Sequence, residues 1–362
     1  MLKFNANVSE LKKIMELFPQ LVSKVIDDTL KCIKIIPRDG YIEFQGTDLE
    51  TFVSVKLNNV QYEGDEAFLV DGVILSEIID SFKEETASFE FENGKLKITS
   101  GKAKFNLPSN VSQQFPQIEK LTSEEMQMKR SLFFKMLDVA YCASNDTKAL
   151  AGLNLKCADS LLRAAASDGY RLAIMGVIVP FKTNFDFIIS NKSVKIIQKF
   201  ISKIDDEQIT FRFNYPNFQV ESNDAFIQVR TLNEDFPNIS KILDTKHILN
   251  VSYRAPEFLE ALDRVMVITK RDADKVLRLD IQPDFIRFYA EGKEVGNIDI
   301  SIPASLEGEP IKIYFNPKFL YEAIKHITSP NQRLYISGEL TPAKIIGDNV
   351  LEQFAIVSPV RS

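Results

Sequence analysis

Hydrophobic positions along the chain switch between a helical period and a period of two, and the switches predict a recurring order of helices and strands. Val8, Leu11, Met15 and Phe18 recur at helical spacing behind Asn7, with Glu10 three residues after that candidate cap. Asp71 precedes a second helix with Leu75, Ile78, Ile79 and Phe82 on one side. Phe89 and Phe91 then alternate with polar residues, Asn93-Gly94 supplies a type I′ turn, and Leu96 and Ile98 alternate back, which predicts a hairpin. Further on, Ser131 opens a helix through Leu132, Met136, Val139 and Ala140. The run Ala164-Ala165-Ala166 meets a Ser167-Asp168-Gly169 turn and leaves as Leu172 and Ile174. In such a turn Asp caps its own backbone, and Gly accepts positive φ without a Cβ clash. Val194, Ile197, Ile201 and Ile204 mark another helix, and strands follow around Tyr215-Pro216-Asn217 and at Ile227 and Val229. Two helices complete the pattern: one starts at Pro256, with Phe258, Leu262 and Val265, and the other starts at Asn316-Pro317, with Leu320, Ala323, Ile324 and Ile327. Asn at the cap and Pro at the first helical position are preferred there.

The order repeats because the chain does. Phe115-Pro116-Gln117-Ile118 returns as Phe236-Pro237-Asn238-Ile239, 121 residues on, and Gly46-Thr47-Asp48-Leu49 is echoed by Ala166-Ser167-Asp168-Gly169, 120 residues on. Phe288-Tyr289-Ala290-Glu291 is a third echo. The expected organisation is α+β: three tandem domains, 1–121, 122–245 and 246–362, each with two amphipathic helices packed on antiparallel strands. Glu119–Met128 and Asp244–Asn250 are the expected linkers.

Composition narrows the function. With 45% hydrophobic and 26% charged residues, the chain has the make-up of an ordinary globular protein. It has no apolar run of the ~18 residues a membrane span needs. Met1-Leu2-Lys3-Phe4-Asn5 lacks the apolar core of a secretory signal, and Cys32, Cys142 and Cys157 are scattered as reduced thiols would be, so a cytoplasmic location is expected. A net charge of −6 argues against nucleic acid only if the charge is evenly spread. Instead Lys192, Lys195, Lys199 and Lys203 form a stripe opposite the isoleucines of their helix. Lys12, Lys13, Lys129, Arg130, Lys135, Arg254, Arg264, Lys318 and Lys325 lie on or beside other helices. One such helix is explained by a solvated face; the recurrence on helix after helix suggests a surface that holds phosphates by sequence-independent, salt-sensitive attraction. No aromatic residues interleave with these lysines, so stacking on single-stranded bases is not suggested.

Catalytic chemistry has little support. His247 and His326 are the only histidines, and His326, at a helix end, suits a capping role. Cys142 and Cys157 have no CxxC or neighbouring His, Asp205-Asp206 and Asp272 with Asp274 read as polar loops, and Gly292-Lys293 is no phosphate loop. Neither cofactor nor metal is expected. The enzymatic alternative is a repeated α+β hydrolase or transferase using Asp48 and Asp168 as acid or base. A binding surface is better supported by apolar Leu150, Leu172, Ile242, Ile356 and Val357 near the turns, with the rigid loop at Pro237 and the apolar tail Phe354-Ala355-Ile356-Val357. A peptide-binding scaffold without DNA is the second alternative.

Ser167-Asp168-Gly169-Tyr170-Arg171-Leu172-Ala173, Gly46-Thr47-Asp48-Leu49-Glu50, Phe236-Pro237 and the Pro359-Val360-Arg361 terminus resemble the bacterial sliding clamp family, the β subunit of DNA polymerase III, across the whole chain. The resemblance implies a head-to-tail homodimer ring around double-stranded DNA, helices lining the hole, which tethers a polymerase without making or breaking a bond. Lys24, Lys148, Lys192, Lys195 and Lys199 would then contact DNA without reading its sequence. The resemblance further implies a pocket for short peptides of the polymerase III catalytic subunit, the clamp loader, other polymerases and repair proteins. That pocket is lined by Leu150, Ser167, Gly169, Tyr170, Arg171, Leu172, Pro237, Lys241, Ile242, Ile356, Ser358 and Val360. Phe105 and Leu107 of one chain would meet Val267 and Ile268 of the other. The chain departs from the family pattern at Lys241, where arginine is frequent, at Ser358, in place of an apolar residue, and at Thr147-Lys148-Ala149, in place of an aromatic-containing segment.

Overall fold

The structure is a computed structural model that describes all residues except 112–113, 118, 244–246, 271–274, 294, 349–351 and 362. Among the described residues the α-helices are α1 (Val8–Met15), α2 (Pro19–Val22), α3 (Gly72–Ser81), α4 (Arg130–Asp138), α5 (Asn191–Lys203), α6 (Ser240–Leu243), α7 (Ala255–Thr269) and α8 (Pro317–Lys325). The chain divides into two compact units, Met1–Phe134 with Lys192–Leu232, and Lys135–Asn191 with Asn233–Ser362.

In the first unit Asn7 caps α1 by accepting from the amides of Ser9 and Glu10 at 2.8 and 3.3 Å, and Asp71 caps α3 by accepting from the Ile74 amide at 2.8 Å. The hairpin turns at Asn93 and Gly94, whose φ values of 50° and 73° are those of the expected I′ turn. It belongs to a five-stranded sheet in the order Tyr62–Gly64, Leu2–Asn7, Thr86–Glu92, Lys95–Ser100, Ala103–Pro108, so the last of these is an edge. A longer antiparallel sheet runs Phe68–Asp71, Cys32–Arg38, Tyr41–Thr47, Thr51–Asn58, Ala225–Leu232, Asn217–Glu221, Gln208–Asn214, Met126–Lys129. The register Thr51↔Val229, Val53↔Ile227, Val55↔Ala225 joins two sequence repeats in one sheet.

The second unit repeats the arrangement. Its long sheet runs Phe185–Ser190, Gly152–Ala158, Leu161–Ser167, Arg171–Ile178, Glu352–Val357, Ala343–Gly347, Asn331–Ile336, Leu249–Arg254, Ser305–Glu307. The smaller sheet runs Gly296–Pro303, Phe285–Gly292, Leu277–Ile281, Ile311–Phe315. Phe258, Leu262 and Val265 of α7 and Leu320, Ala323 and Ile324 of α8 are buried with Leu277, Leu279 and Phe288 of that sheet. Burial of each large apolar side chain contributes about 1.5–3 kcal/mol, which fixes the helices to one face of the strands.

Several expected boundaries shift. Glu119–Met128 is not linker throughout: Met126–Lys129 is a strand paired with Gln208–Asn214, and Met126 and Met128 are buried. Two alternating methionines are too short a pattern to read as a strand, and the partner strand makes it one. Likewise Leu249 and Asn250 belong to a strand. Helix α4 starts at Arg130 rather than Ser131, while Phe18, Ile204 and Ile327 lie just beyond the ends of their helices. The third echo, Phe288-Tyr289-Ala290-Glu291, lies inside a strand. Ile118, Asp244, Asp272 and Asp274 lie outside the described residues.

Candidate docking groove and basic helix face

In the second unit the turn is built by its own side chains. Ser167 Oγ accepts from the Gly169 amide at 3.1 Å, and Asp168 Oδ1 accepts from the amides of Tyr170 and Arg171, both at 3.0 Å. Gly169, at φ 90°, is exposed. The remaining oxygen, Asp168 Oδ2, accepts from Arg171 Nε at 2.9 Å. The first-repeat turn is made the same way: Thr47 Oγ1 accepts from Leu49, and Asp48 Oδ1 from Glu50 and Thr51, at 2.9, 3.0 and 2.7 Å. Both aspartates are occupied in holding turns, which corrects the hydrolase alternative that used Asp48 and Asp168.

Arg171 is fixed from three sides. Its guanidinium is bound by Asp168 and by Glu322 of α8, and lies 4.5 Å over the Phe319 ring. Burial opposes its charge, but the hydrogen bonds to Glu322 and Asp168 outweigh that, holding its pKa above the ordinary value. Tyr170 is exposed and stacks on Phe319 with the rings 6.3 Å apart. Arg171 also lies 5.7 Å from the Tyr141 ring, whose other neighbour is His326, stacked at 4.2 Å. His326 is the C-cap of α8, as expected from its position, its amide donating to Glu322 O at 3.2 Å, while its ring makes a contact of its own. Its Nδ1 is 2.6 Å from Asp138 Oδ2.

The strand that leaves the turn pairs with the C-terminal strand in the register Leu172↔Ile356 and Ile174↔Phe354. Ala165, Leu172, Ile174, Phe354 and Ile356 form a small apolar cluster apart from the main core, with Phe236, Ile239, Leu243 and Ile346 only partly buried against it. The tail continues past the cluster, the Ser358 amide donating to Tyr170 O and the Val360 amide to Tyr314 O, each at 2.9 Å. Leu150 O accepts from the Ser144 amide at 2.9 Å, and the same amide lies 3.2 Å from Ser167 O, which brings Leu150 to the turn. Pro237, Lys241 and Ile242 are exposed on the segment whose Phe236, Ile239 and Leu243 pack on the cluster. The fold thus gathers Leu150, Ser167, Gly169, Tyr170, Arg171, Leu172, Ile356, Ser358 and Val360, with the Pro237–Ile242 segment alongside. Phe319 and Glu322 were missed by the sequence. Their signal was an aromatic and a carboxylate on α8 outside the Leu320, Ala323, Ile324 core stripe.

The basic face is partly neutralised. In the first unit Lys192 pairs with Asp48 and lies 3.9 Å from Glu50, Lys199 lies 3.6 Å from Glu16, and Lys203 pairs with Glu16. The hydrogen bond from Lys203, with Lys199 adding its charge, lowers the Glu16 pKa against a smaller effect of burial. Lys12 donates to the carbonyls of Asp80 and Phe82 at the end of α3, at 3.0 and 2.8 Å, so it caps a helix rather than facing a ligand. Lys24, Lys148 and Lys195 are exposed. Phe105 and Leu107 are half-buried on the edge strand, and on α7 Val267 is exposed and Ile268 half-buried. Cys142 is buried and its thiol pushed up to about 12, which leaves it inert. No group of three or more potential metal ligands occurs among the described residues, and none of their helices is long and apolar enough to cross a membrane.

Family models of the DNA polymerase III beta subunit match in tandem: the N-terminal domain over residues 5–119, the central domain over 127–238 and the C-terminal domain over 241–358. The chain belongs to the DNA polymerase III beta subunit family. It is 24% identical to the beta sliding clamp of Bacillus subtilis over the full length of both chains, and 24% identical to that of Chlamydia muridarum over 97% of this chain and 95% of the relative. Among solved structures it is similar to the DNA polymerase III beta subunit of Thermotoga maritima, with a TM-score of 0.93 and 24% identity over all of both chains. It is equally similar to the B. subtilis DNA polymerase sliding clamp, with a TM-score of 0.93 and 22% identity over 100% and 99% of the two chains. The beta subunit fold, three clamp domains of helices on antiparallel sheets, is therefore the fold of this chain.

Proposed function

We infer that the chain is a DNA polymerase processivity factor, a non-catalytic sliding clamp of the cytoplasm. Two copies close head to tail into a ring around duplex DNA, each contributing domains 1–121, 122–245 and 246–362. The ring holds the polymerase III catalytic subunit, the clamp loader, and other polymerases and repair proteins through their linear peptides. The observation that carries this reading is the apolar cluster of Ala165, Leu172, Ile174, Phe354 and Ile356, over which Phe236, Ile239, Leu243 and Ile346 are only partly buried, bordered by a turn whose Arg171 is locked in place. A preformed apolar groove with a few fixed polar groups suits capture of a short peptide. Leu150, Ser167, Gly169, Tyr170, Pro237, Lys241, Ile242, Ser358 and Val360 form its rim. Lys24, Lys148, Lys192, Lys195 and Lys199 supply weak phosphate contacts, and weakness suits a ring that must slide. Phe105 and Leu107 on an otherwise unpaired edge meet Val267 and Ile268 of the second copy, which protects the edge from aggregation.

The pairing of Lys192, Lys199 and Lys203 with carboxylates favours one rival, a peptide-binding scaffold without DNA. Loading onto nicked circular DNA separates the two. Clamp action requires retention on the circle and rapid loss once it is cut to a linear form. Retention that ignores linearisation, or no retention at all, overturns the clamp reading.

A further inference from the structure

In the first unit, helix α1 ends on a charge of the wrong sign. Glu16 is its C-cap, the amide donating to Lys12 O at 3.1 Å, and the helix macrodipole disfavours a carboxylate at that end. Compensation arrives from the second sequence repeat. Glu16 pairs with Lys203 of α5 and lies 3.6 Å from Lys199, one turn earlier on that helix.

Carboxylates of this kind occupy most of the lysine stripe. Lys192, near the start of α5, pairs with Asp48 and lies 3.9 Å from Glu50. Among the described residues, Lys195 alone of the stripe has no carboxylate within 4 Å. The two principal carboxylates are held differently. Asp48 is 3% exposed and its Oδ1 bonds two turn amides, so it is a fixture of the turn. The Glu16 side chain is held, among the described residues, by its two lysines alone. It is 37% exposed, and Lys199 and Lys203 are 40% and 30% exposed. Ion pairs this open to solvent are weak, and another anion can displace the carboxylate.

We propose that Glu16 is a built-in competitor for phosphate: it occupies Lys199 and Lys203 in the free chain, and DNA reaches them only against its charge, while Lys195 stays open throughout. This inference rests on the reading of α5 as a face that contacts DNA phosphates. Two like unit charges about 4 Å apart in water repel enough to weaken binding about fivefold. The carboxylate thus loosens the grip without removing a lysine, which suits a ring that must slide.

The test is a fluorescence-anisotropy titration of a short labelled duplex with the full chain across a salt series. Glu16→Gln should tighten binding about fivefold at low salt. It should also steepen the slope of log K on log salt by about 0.9, one added phosphate contact. Glu16→Ala should give the same gain, and circular dichroism checks that both variants fold. Glu92→Gln, an equal change of charge at an exposed position at the end of a strand in the five-stranded sheet, should leave affinity and slope as they are. In the Glu16→Gln background Lys199→Ala should flatten the slope as much as Lys195→Ala does, whereas in the unaltered chain it flattens it less. Unchanged affinity and slope for Glu16→Gln, while Lys195→Ala still weakens binding, would overturn the competitor and leave the clamp reading standing, with Glu16 only a stitch between repeats. The same gain from Glu92→Gln would overturn it as an effect of net charge. Absence of binding by every form, Glu16→Gln included, would overturn both readings.

Discussion

Replacing Arg171 by Met tests the rigidity of the groove most directly. The side chain is 10% exposed and its partners Asp168 and Glu322 are 18% and 26% exposed, so the substitution leaves two poorly solvated carboxylates without their shared cation. Removing one side of a buried ion pair costs ~3–5 kcal/mol. The lower end applies here, because Asp168 keeps its two amide donors and Glu322 keeps Lys318 at 3.8 Å. Loss of the cation over Phe319 adds about 1 kcal/mol, for a total near 4 kcal/mol. With a urea m-value of ~2–3 kcal/mol/M, the transition of the second unit should move down by about 1.3–2 M. The assay is urea unfolding by far-ultraviolet circular dichroism, run as a double-mutant cycle with Glu322→Gln. The expected coupling is about 1.5–2 kcal/mol. A coupling below about 0.5 kcal/mol would show that Glu322 does not hold Arg171, and the argument for a preformed groove would fail.

Other outcomes follow from the same geometry. Lys195→Ala should flatten the dependence of log K for DNA on log salt by about 0.9, one phosphate contact, in a filter-binding titration. Lys199→Ala should change it less, since Lys199 already faces Glu16. At Gly152 a Cβ would lie 2.0 Å from Ile189 O, so Gly152→Ala should lower stability by more than about 2 kcal/mol, read by thermal melting. Burial works against the Glu43 carboxylate, but hydrogen bonds from Ser54, Arg38 and Gln45 outweigh it and hold its pKa below 4.5. Its contribution is therefore complete above about pH 4.5 and is lost as pH falls through the lower folded value, and Glu43→Gln should flatten that acid limb. Leu107→Asp on the edge strand should convert a two-chain species to single chains in sedimentation, while circular dichroism stays unchanged.

By itself the sequence determined the elements and their repetition. Caps at Asn7, Asp71 and Asn316, the Asn93-Gly94 turn and the two Asp turns are local devices, in which a side chain bonds a backbone group two or three residues away, and such chemistry is legible from adjacent letters. The groove was legible in part, because Ser167 to Leu172 and the C-terminal strand carry a recognisable pattern. Tertiary structure alone decided what is paired with what. Nothing adjacent to Arg171 announces Glu322 or Phe319, and nothing adjacent to Lys192 announces Asp48, since each pair is closed by strands and helices far apart in the chain. The two Asp turns are the plainest case. Turns made by the same bonds lead to the pairs Leu172↔Ile356 and Ile174↔Phe354 in one unit and to Phe52↔Gln228 and Ser54↔Phe226 in the other, because what each strand meets depends on the strand that arrives from elsewhere.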